Sequence, residues 1–583
     1  MIVVGVSAFY HDSACAVVVD GEVVAASQEE RYTRRRFERG VPMYAYRSCL
    51  EQAGIGPGDI DMVAYYENPT KKLGRQLWML LADGGDRGVG ELDAMQPARE
   101  IRDRLGYDGP LAVVDHHEAH AASAFYCSGF DEAALFTADA VGEWTTTSCG
   151  VGSASGVELR QQVPFPHSLG LLYSTVTSYL GFSVNSDEYK VMGLAAYGRP
   201  RYLGALAQLV LNSADGDLRL DTRYFRLRAD GAMYTAALTD LLGLPPRPVR
   251  APIEAVHRDL AASVQLLLEE LLLEKVRYLH GIYPSDNLCY SGGVAHNCVA
   301  NTKLRRGGGF RNWYVPPAPG DAGGALGAAL LVQHRETGAR PTTALTDARL
   351  GPFCDGRGAA RVLHAAAVPY EDFAGREEAL LEATADLLAA GTVVGWCRGQ
   401  MEFGPRALGS RSILGDPRDA GMRERINRLV KKREEFRPFA PAVVAERAGE
   451  FFDLEVPSPF MLEAVAVRPG AGLPAVTHVD GSARVQTVER GTDPRFHSLL
   501  ERFGRRTGVP VLLNTSFNVR GEPIVRDDVD ALSCFVRAGI DVLVVGDLLV
   551  RQEDVPGVWR EYLARAGSYH DRLAHNDAYS FFV

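Results

Sequence analysis

Apolar and polar positions alternate at the start of the chain in blocks. "IVVGVS" is followed by a polar turn, then "CAVVVD", a tight turn at Asp20-Gly21, and "EVVAAS". This predicts strand, turn, strand, hairpin, strand over residues 2 to 27. The pattern returns in "AALFTADAVGEWTTTSCGVGSASGVELRQQ", with a turn carrying Asp139 and Gly142 and a Gly/Ser turn at 153 to 156. Two copies of one β-turn-β-turn-β unit predict a duplicated domain, in which the two turns face each other and clasp phosphates with backbone N–H groups.

Helical patterns follow each copy, at residues 41 to 54 and 72 to 83, then at 168 to 180. The strongest runs from 253 to 282, with apolar residues at helical spacing and charges outside. Behind it "NLCYSGGVAHNCVAN" reads as a buried strand entering the Gly292-Gly293 turn and a helix, a pattern of close backbone approach to a ligand. A small-residue helix then carries Asp321 at its N-terminus, where the helix dipole favours a carboxylate. The Gly-, Pro- and Arg-rich run 349 to 363 reads as a domain boundary, dividing the chain into 1–358 and 359–583. Beyond it a second α/β unit is expected: a helix at 374 to 390, the strand "TVVGWC", a helix at 419 to 431, and strands "VPVLLN" and "IDVLVVGD".

At 583 residues the length alone suggests three or four compact units, at about 150 residues each. With 46% hydrophobic and 23% charged residues the composition is that of a soluble globular protein. The net charge of −11 argues against nucleic acid as the main partner, because phosphate backbones are held by clustered Lys and Arg. The nine cysteines include no Cys-x-x-Cys pair, so they read as buried, reduced thiols of a cytoplasmic protein. The first residues read as a strand rather than a signal peptide, and no uncharged apolar run reaches the ~18 residues of a membrane span.

The chemistry starts at "VDHHEAHAASAFY". His116 and His120 stand at i and i+4, on one face of a helix, and His117 and His120 at i and i+3, nearly on one face, so His120 can pair with either neighbour. Two neutral imidazoles there could hold a transition metal; a polar first turn capped by Asp115 explains the stretch equally well. The spacing is not His-Glu-x-x-His, so Glu118 is no metalloprotease base. In the second unit "GQMEFGPRALGSRSILGDPRD" and "INRLVKKREEFRPFAPAVV" bring together Arg406, Arg411, Lys431, Lys432, Arg433 and Arg437. Lys432, Arg433, Glu434 and Glu435 read as a solvated face. Arg437, set in an apolar Phe/Pro loop, suits rigid oxyanion binding. Arg484, Asn514, Thr515, Ser516, Asn518 and Arg520 follow, which favours a phosphate or nucleotide pocket. No P-loop and no Gly-x-Ser-x-Gly elbow occurs. His11, in the first turn, is either a general base or a polar turn residue.

Taken in order, "GVSAFYHDSA", "EERYTR", "DHHEAHAASAF", "TADAVGEWTT", "SDEYKVMGLAAYG", "SGGVAHNC", "APGDAGGALGAAL", "MEFGPRALGSRSIL", "FRPFAPAV", "ARVQTV" and "NTSFNVRGEPIV" resemble the bacterial O-carbamoyltransferases of antibiotics and nodulation factors. The resemblance implies an N-terminal actin/hexokinase-like domain, similar to the threonylcarbamoyl-transferase domain of tRNA modification, and a C-terminal YrdC-like domain. It implies that ATP and carbamoyl phosphate form carbamoyl adenylate in the second domain, and that a hydroxyl of a small natural product accepts the carbamoyl group in the first, releasing AMP. It implies His116, His120 and Asp321 as ligands of iron(II), although these ligands equally admit zinc or manganese. It gives His11 as the base, and Asp139, Gly142, Glu143, Lys190, Gly292, Gly293 and Asn297 as contacts of the adenylate. His117 is expected beside them, in the nucleotide or substrate cavity. It puts Arg406, Lys431, Arg437, Arg484, Asn514 and Ser516 around carbamoyl phosphate and ATP, with Mg²⁺ accompanying the nucleotide.

Two rivals come from the same chemistry and one from another class. A tRNA threonylcarbamoyl transferase would leave the acidic balance with little grip on tRNA. A hydrogenase-maturation carbamoyltransferase has the reverse domain order and zinc fingers. A non-catalytic actin-type ATP switch would have no use for the second arginine-rich pocket. The expected partner is a hydroxylated small molecule, with neither nucleic acid nor membrane; a homodimer is compatible with the sequence. The basic run "RYTRRRFER" reads as a solvated face, with guidance of an anionic acceptor as the alternative.

Overall fold

The computed structural model describes residues 1–82, 93–227, 231–431, 436–559 and 561–563; Lys432 to Glu435 and the side chain of Lys431 lie outside the described positions. Its first strand, β1 (Ile2–Ser7), is buried along nearly its whole length, as a Val-rich run covered on both faces must be. It pairs antiparallel with β2 (Ala14–Val19), which pairs with β3 (Glu22–Gln28). On its other side it pairs parallel with β4 (Met62–Tyr65), and β4 with β5 (Leu111–Val113). The order is β3-β2-β1-β4-β5.

The second copy repeats this. β6 (Ala133–Ala138), β7 (Thr145–Ser153) and β8 (Gly156–Pro164) form the antiparallel part. β9 (Asn287–Ser291) and β10 (Asn312–Tyr314) extend it in parallel, giving the order β10-β9-β6-β7-β8. The duplicated arrangement implied by the resemblance is therefore present. In each copy a helix follows the fifth strand: His116–Ser128 after β5 and Asp321–Thr337 after β10. These two helices are almost wholly buried, the first rich in Ala and the second in Ala and Gly, which lets their backbones approach closely. A Cβ on Gly5 would likewise come 1.8 Å from the Ala325 carbonyl oxygen, so β1 lies directly on the second helix. The long helix expected at 253 to 282 spans Ala255–Ile282.

The second unit is α/β, built on one mixed eight-stranded sheet. Its strands lie in the order 371–372, 548–551, 542–545, 394–397, 411–415, 511–516, 440–444 and 486–488. One face carries helices Glu377–Ala389 and Pro494–Thr507 over a core that includes Leu380, Trp396, Leu499 and Phe503. The opposite face buries Ile413, Val443, Leu513 and Phe535, the last on helix Asp528–Ala538. The helix expected at 419 to 431 is α-helical over Ala420–Ile426 and continues as a π turn over Asn427–Lys431.

The two compact units divide between Leu345 and Thr346, earlier than the expected 358/359. The run read as a boundary is itself structured: Arg349–Cys354 is a strand paired with Gly399–Glu402, and Arg357–Ala365 is a helix. Its Gly356 sits at φ +80°, so the glycine marks the turn between those elements rather than a linker. The segment Glu30–Arg36 groups with the second unit. This corrects the reading of "RYTRRRFER" as a solvated face for Arg31 and Arg34, while Arg35, Arg36 and Arg39 are exposed as that reading expects. Arg31 is buried and donates to the Gly404 carbonyl at 2.7 Å; Arg34 donates to the carbonyls of Ile524 (2.6 Å) and Pro523 (2.9 Å). All nine cysteines are buried and unbridged. Among the described residues no helix is long and apolar enough to cross a membrane.

Candidate metal centre and anion pocket

The i, i+4 spacing does what it implied: the Nε2 atoms of His116 and His120 stand 3.0 Å apart on the first buried turns of their helix. Asp321, first residue of the partner helix, brings Oδ1 to 3.7 Å from His116 Nε2 and 3.6 Å from His120 Nε2. Asp139 completes the set from the turn after β6, with Oδ2 at 3.0 and 3.3 Å from the same nitrogens. One donor atom from each of the four lies within 4.8 Å of the others, and all four side chains are buried. Two imidazole nitrogens and two carboxylates gathered in one buried cluster fit a divalent transition ion, whose charge would balance the two carboxylates.

Asp139 was expected against the nucleotide. The structure instead gives its Oδ2 to the histidines, while Oδ1 accepts the Ala140 N–H at 2.8 Å and the Gly293 N–H at 3.2 Å. Burial works against its ionisation, yet the bonds from His116 and His120 hold it well below the usual carboxylate range. Burial likewise opposes charge on His120, and the Asp139 and Asp321 carboxylates outweigh it, raising the group to about 9.

The glycines expected to meet phosphates pack on this cluster. A Cβ on Gly142 would come 2.8 Å from the His116 ring, and one on Gly293 2.7 Å from Asp139 Oδ1. Gly292, at φ +96°, has the Ala138 carbonyl 2.2 Å from where its Cβ would be. Glu143 is the cap of the histidine helix: its Oε1 accepts the N–H groups of His116 (2.9 Å) and Asn68 (2.6 Å). Asp115, the expected cap, makes no capping bond and pairs with Lys71. His117, expected in the nucleotide or substrate cavity, is 2% exposed with Nδ1 at 2.6 Å from Thr137 Oγ1. Burial, with His116 and His120 beside it, pushes its imidazole well below the ordinary value, so it is a neutral core histidine. Glu118 pairs with Arg335 at 2.9 Å.

His11 occupies the first turn of copy one, the counterpart of the Asp139 turn in copy two. It lies between Phe9 (φ 68°) and Asp12 (φ 56°), two non-glycine residues in the left-handed region. The turn is held by the Phe9 N–H to the Arg39 carbonyl (2.7 Å) and the Ser13 N–H to the Glu38 carbonyl (2.9 Å). Nδ1 lies 3.0 Å from Asp12 Oδ2, so in the neutral ring the hydrogen belongs on Nδ1 and Nε2 is the acceptor. Burial lowers this imidazole and Asp321, Asp12 and Asp139 raise it further, to about 9, so the first turn feels the carboxylates of the cluster.

Lys190 pairs with Asp187 at 2.8 Å. Asn297 caps helix Cys298–Gly307, accepting the Ala300 N–H at 3.1 Å, and donates to Gln265 at 2.9 Å.

In the second unit the loop carrying Arg406 wraps around a carboxylate that the sequence reading passed over. Glu402 Oε1 accepts the N–H groups of Leu408 (2.8 Å), Ser410 (2.8 Å) and Arg411 (3.1 Å). Asn514, on an inner strand of the sheet, donates to the Ala407 carbonyl of the same loop at 3.3 Å, and Gln486 donates to the Leu408 carbonyl at 2.7 Å. Arg484 lies two residues before Gln486, and Ser516 two after Asn514, donating to Asn518 at 2.7 Å. Arg406, Arg437 and Arg484 are each half-buried. Arg411 differs: it is fully buried and donates to the carbonyls of Arg526, Gly399, Ser410 and Pro352 at 2.8 to 3.1 Å, so it holds the unit together.

Comparison with known proteins agrees with this division. The family model "Carbamoyltransferase N-terminus" matches residues 2–83 and 92–330, and "Carbamoyltransferase C-terminus" matches 385–552. An uncharacterised protein of Synechocystis sp. is 42% identical over 95% of this chain and 97% of its own. The nodulation protein NolNO of Sinorhizobium fredii is 39% identical over 93% of this chain and 79% of its own. The 3'-hydroxymethylcephem-O-carbamoyltransferase of Amycolatopsis lactamdurans is 33% identical over 62% of this chain and 64% of its own. With both of its units matched, the chain belongs to the carbamoyltransferase family and is an enzyme of carbamoyl transfer.

Proposed function

We propose that the chain is an ATP-dependent O-carbamoyltransferase acting on a hydroxyl of a small natural product in the cytoplasm. The observation that supports this most is the buried cluster of His116, His120, Asp139 and Asp321 with His11 in the counterpart turn. A divalent transition ion held there, iron(II) for preference, supplies a Lewis acid for negative charge on the carbamoyl oxygen or on departing AMP.

In the second unit water cleaves carbamoyl phosphate to carbamate and phosphate. A carbamate oxygen then attacks the α-phosphorus of ATP, with Mg²⁺ on the nucleotide, and pyrophosphate leaves. Arg406, Lys431, Arg437 and Arg484 neutralise the phosphoryl oxygens, with Asn514 and Ser516 giving direction. In the first unit the acceptor hydroxyl attacks the carbamoyl carbon of the adenylate. Its proton passes to Nε2 of neutral His11, whose Nδ1 is bonded to Asp12, and the C–O bond to AMP breaks; an ion among Asp139 and Asp321 would offset the carboxylate charge that otherwise keeps the ring protonated. Lys190, Gly292, Gly293 and Asn297 bound the adenylate side of this reading. A cephem acceptor is named for two relatives, which makes a hydroxymethyl cephem a suitable first probe.

The test is to supply purified protein with ATP, carbamoyl phosphate and a panel of hydroxylated natural products. Pyrophosphate, AMP and an O-carbamate should form together, with the metal retained through purification and lost in Asp139→Asn. Carbamoyl transfer without ATP consumption, or modification of tRNA alone, contradicts the reading.

A further inference from the structure

Cys354 ends the strand Arg349–Cys354 and Cys397 ends the strand Val394–Cys397, and their buried Sγ atoms stand 3.4 Å apart. In the reduced pair the Cys397 S–H donates to the Cys354 sulfur, and the Cys354 S–H donates to the Cys397 carbonyl at 3.5 Å. To bond, the sulfurs have to close by only about 1.4 Å. Arg411 braces both strands around them: its guanidinium donates to the Pro352 and Gly399 carbonyls, each two residues from one of the cysteines.

The surroundings favour a thiolate at Cys354. The bond from Cys397, and then the Arg411 charge, hold its thiol below the usual value against the effect of burial. Burial keeps Cys397 protonated. The other thiols sit differently: burial pushes Cys127, Cys149 and Cys289 up to about 12. Cys15, beside Cys49, is also raised by burial, with Glu29 rather than an arginine near it.

The pair lies close to solvent. A surface hollow lined by Asp355, Gly358, Asp527 and Asp528 begins beside it, since Asp355 follows Cys354 in the chain and the Asp527 carbonyl is 3.8 Å from Cys397 Sγ. An oxidant little larger than water therefore has a short way in.

A thiolate in contact with a second, protonated thiol is the arrangement that peroxide converts to a disulfide. We infer that Cys354 and Cys397 form a redox-modification site, at which hydrogen peroxide closes a reversible disulfide. The Cys354 thiolate attacks one peroxide oxygen and the O–O bond breaks. The departing hydroxide takes up the proton that the thiol had released, leaving a sulfenic acid on Cys354. The Cys397 sulfur then attacks the Cys354 sulfur, the S–O bond breaks, and water leaves with the Cys397 proton. Two thiols and one peroxide become one disulfide and two waters, with two electrons passing from the sulfurs to the peroxide.

The test needs only the full-length protein, reduced and then exposed to hydrogen peroxide under native conditions, with catalase ending the reaction. Free thiols counted after denaturation should fall by two, from nine to seven, and return to nine with dithiothreitol. Tryptic mapping without reductant should join Leu350–Arg357 to Glu377–Arg398, the peptides that carry the two cysteines. The bridge should form about tenfold faster than any of the other thiols reacts. This arm needs no variant to fold.

Cys354→Ser should keep its remaining thiols at the same dose. Cys397→Ser should stop at a sulfenic acid on Cys354, which dimedone traps and which wild type does not accumulate. Survival of all the wild-type thiols overturns the inference, as does a bridge elsewhere, such as Cys15 to Cys49, or one that forms only in urea. So does a loss of thiols in Cys354→Ser equal to that of wild type, or a wild-type loss that dithiothreitol does not reverse.

Discussion

Gly327 lies where a Cβ would stand 1.8 Å from the carbonyl oxygen of Ala119. The helix bearing His116 and His120 and the helix beginning at Asp321 therefore touch backbone to backbone, one turn or so from the ligands. No side chain intervenes that could relax, so this contact sets the distance between the imidazoles and the Asp321 carboxylate.

Gly327→Ala should force the helices apart. The overpacking, less the helix propensity gained, is expected to cost about 2 kcal/mol, and metal affinity should fall with it. Thermal melts and metal titration of the same preparation check both.

Arg411 should prove structural. Its carbonyl partners come from four segments, and a lysine can satisfy few of them. Arg411→Lys is expected to destabilise the protein by about 3 kcal/mol in urea unfolding while metal content stays at the wild-type level.

Arg31 holds the Gly404 carbonyl, two residues before Arg406. Arg31→Gln should loosen that loop and raise the KM for carbamoyl phosphate about tenfold, with metal binding unaffected. Steady-state pyrophosphate release is the measurement.

Glu29 gives a pH signature. Its carboxylate accepts the N–H groups of Tyr44 (3.1 Å) and Ala45 (2.7 Å), yet burial dominates and pushes it up to about 7. A carboxyl raised in the folded state contributes stability that is full below its unfolded value of 4.5 and is lost as pH rises through 7. Wild type should therefore lose stability relative to Glu29→Gln between pH 4.5 and about 7, on the order of 1 kcal/mol per pH unit, and level off above that. Urea midpoints at several pH values test this.

The duplicated fold was legible because period-two alternation and tight turns are local signals, and both copies appear where β1 to β3 and β6 to β8 now stand. That His120 pairs with a neighbouring histidine was legible for the same reason, since helical spacing places His116 and His117 near its face, but the choice of His116 came with the family resemblance. Asp321 came only with the family resemblance. Asp139 was recognised as a site residue but given to the nucleotide, because a lone carboxylate in a β-turn carries no spacing that ties it to a distant helix. Arg31 and Arg34 of "RYTRRRFER" misled because an arginine in a basic run reads as solvated wherever its carbonyl partners lie hundreds of residues away, as Gly404 and Ile524 do. Glu402 escaped notice because its partners are backbone groups, and Gln486 because its partners, the Leu408 carbonyl and the Asn514 side chain, are distant in sequence.

The central claim is that adenylate formation and carbamoyl transfer are separate steps in separate units of one chain. The direct measurement is His11→Ala, assayed for pyrophosphate release and for O-carbamate on a hydroxymethyl cephem or another hydroxylated acceptor. Pyrophosphate release from ATP and carbamoyl phosphate should continue at the wild-type initial rate, with O-carbamate reduced by about 100-fold or more. Loss of both activities together, or transfer at the wild-type rate, would contradict the account.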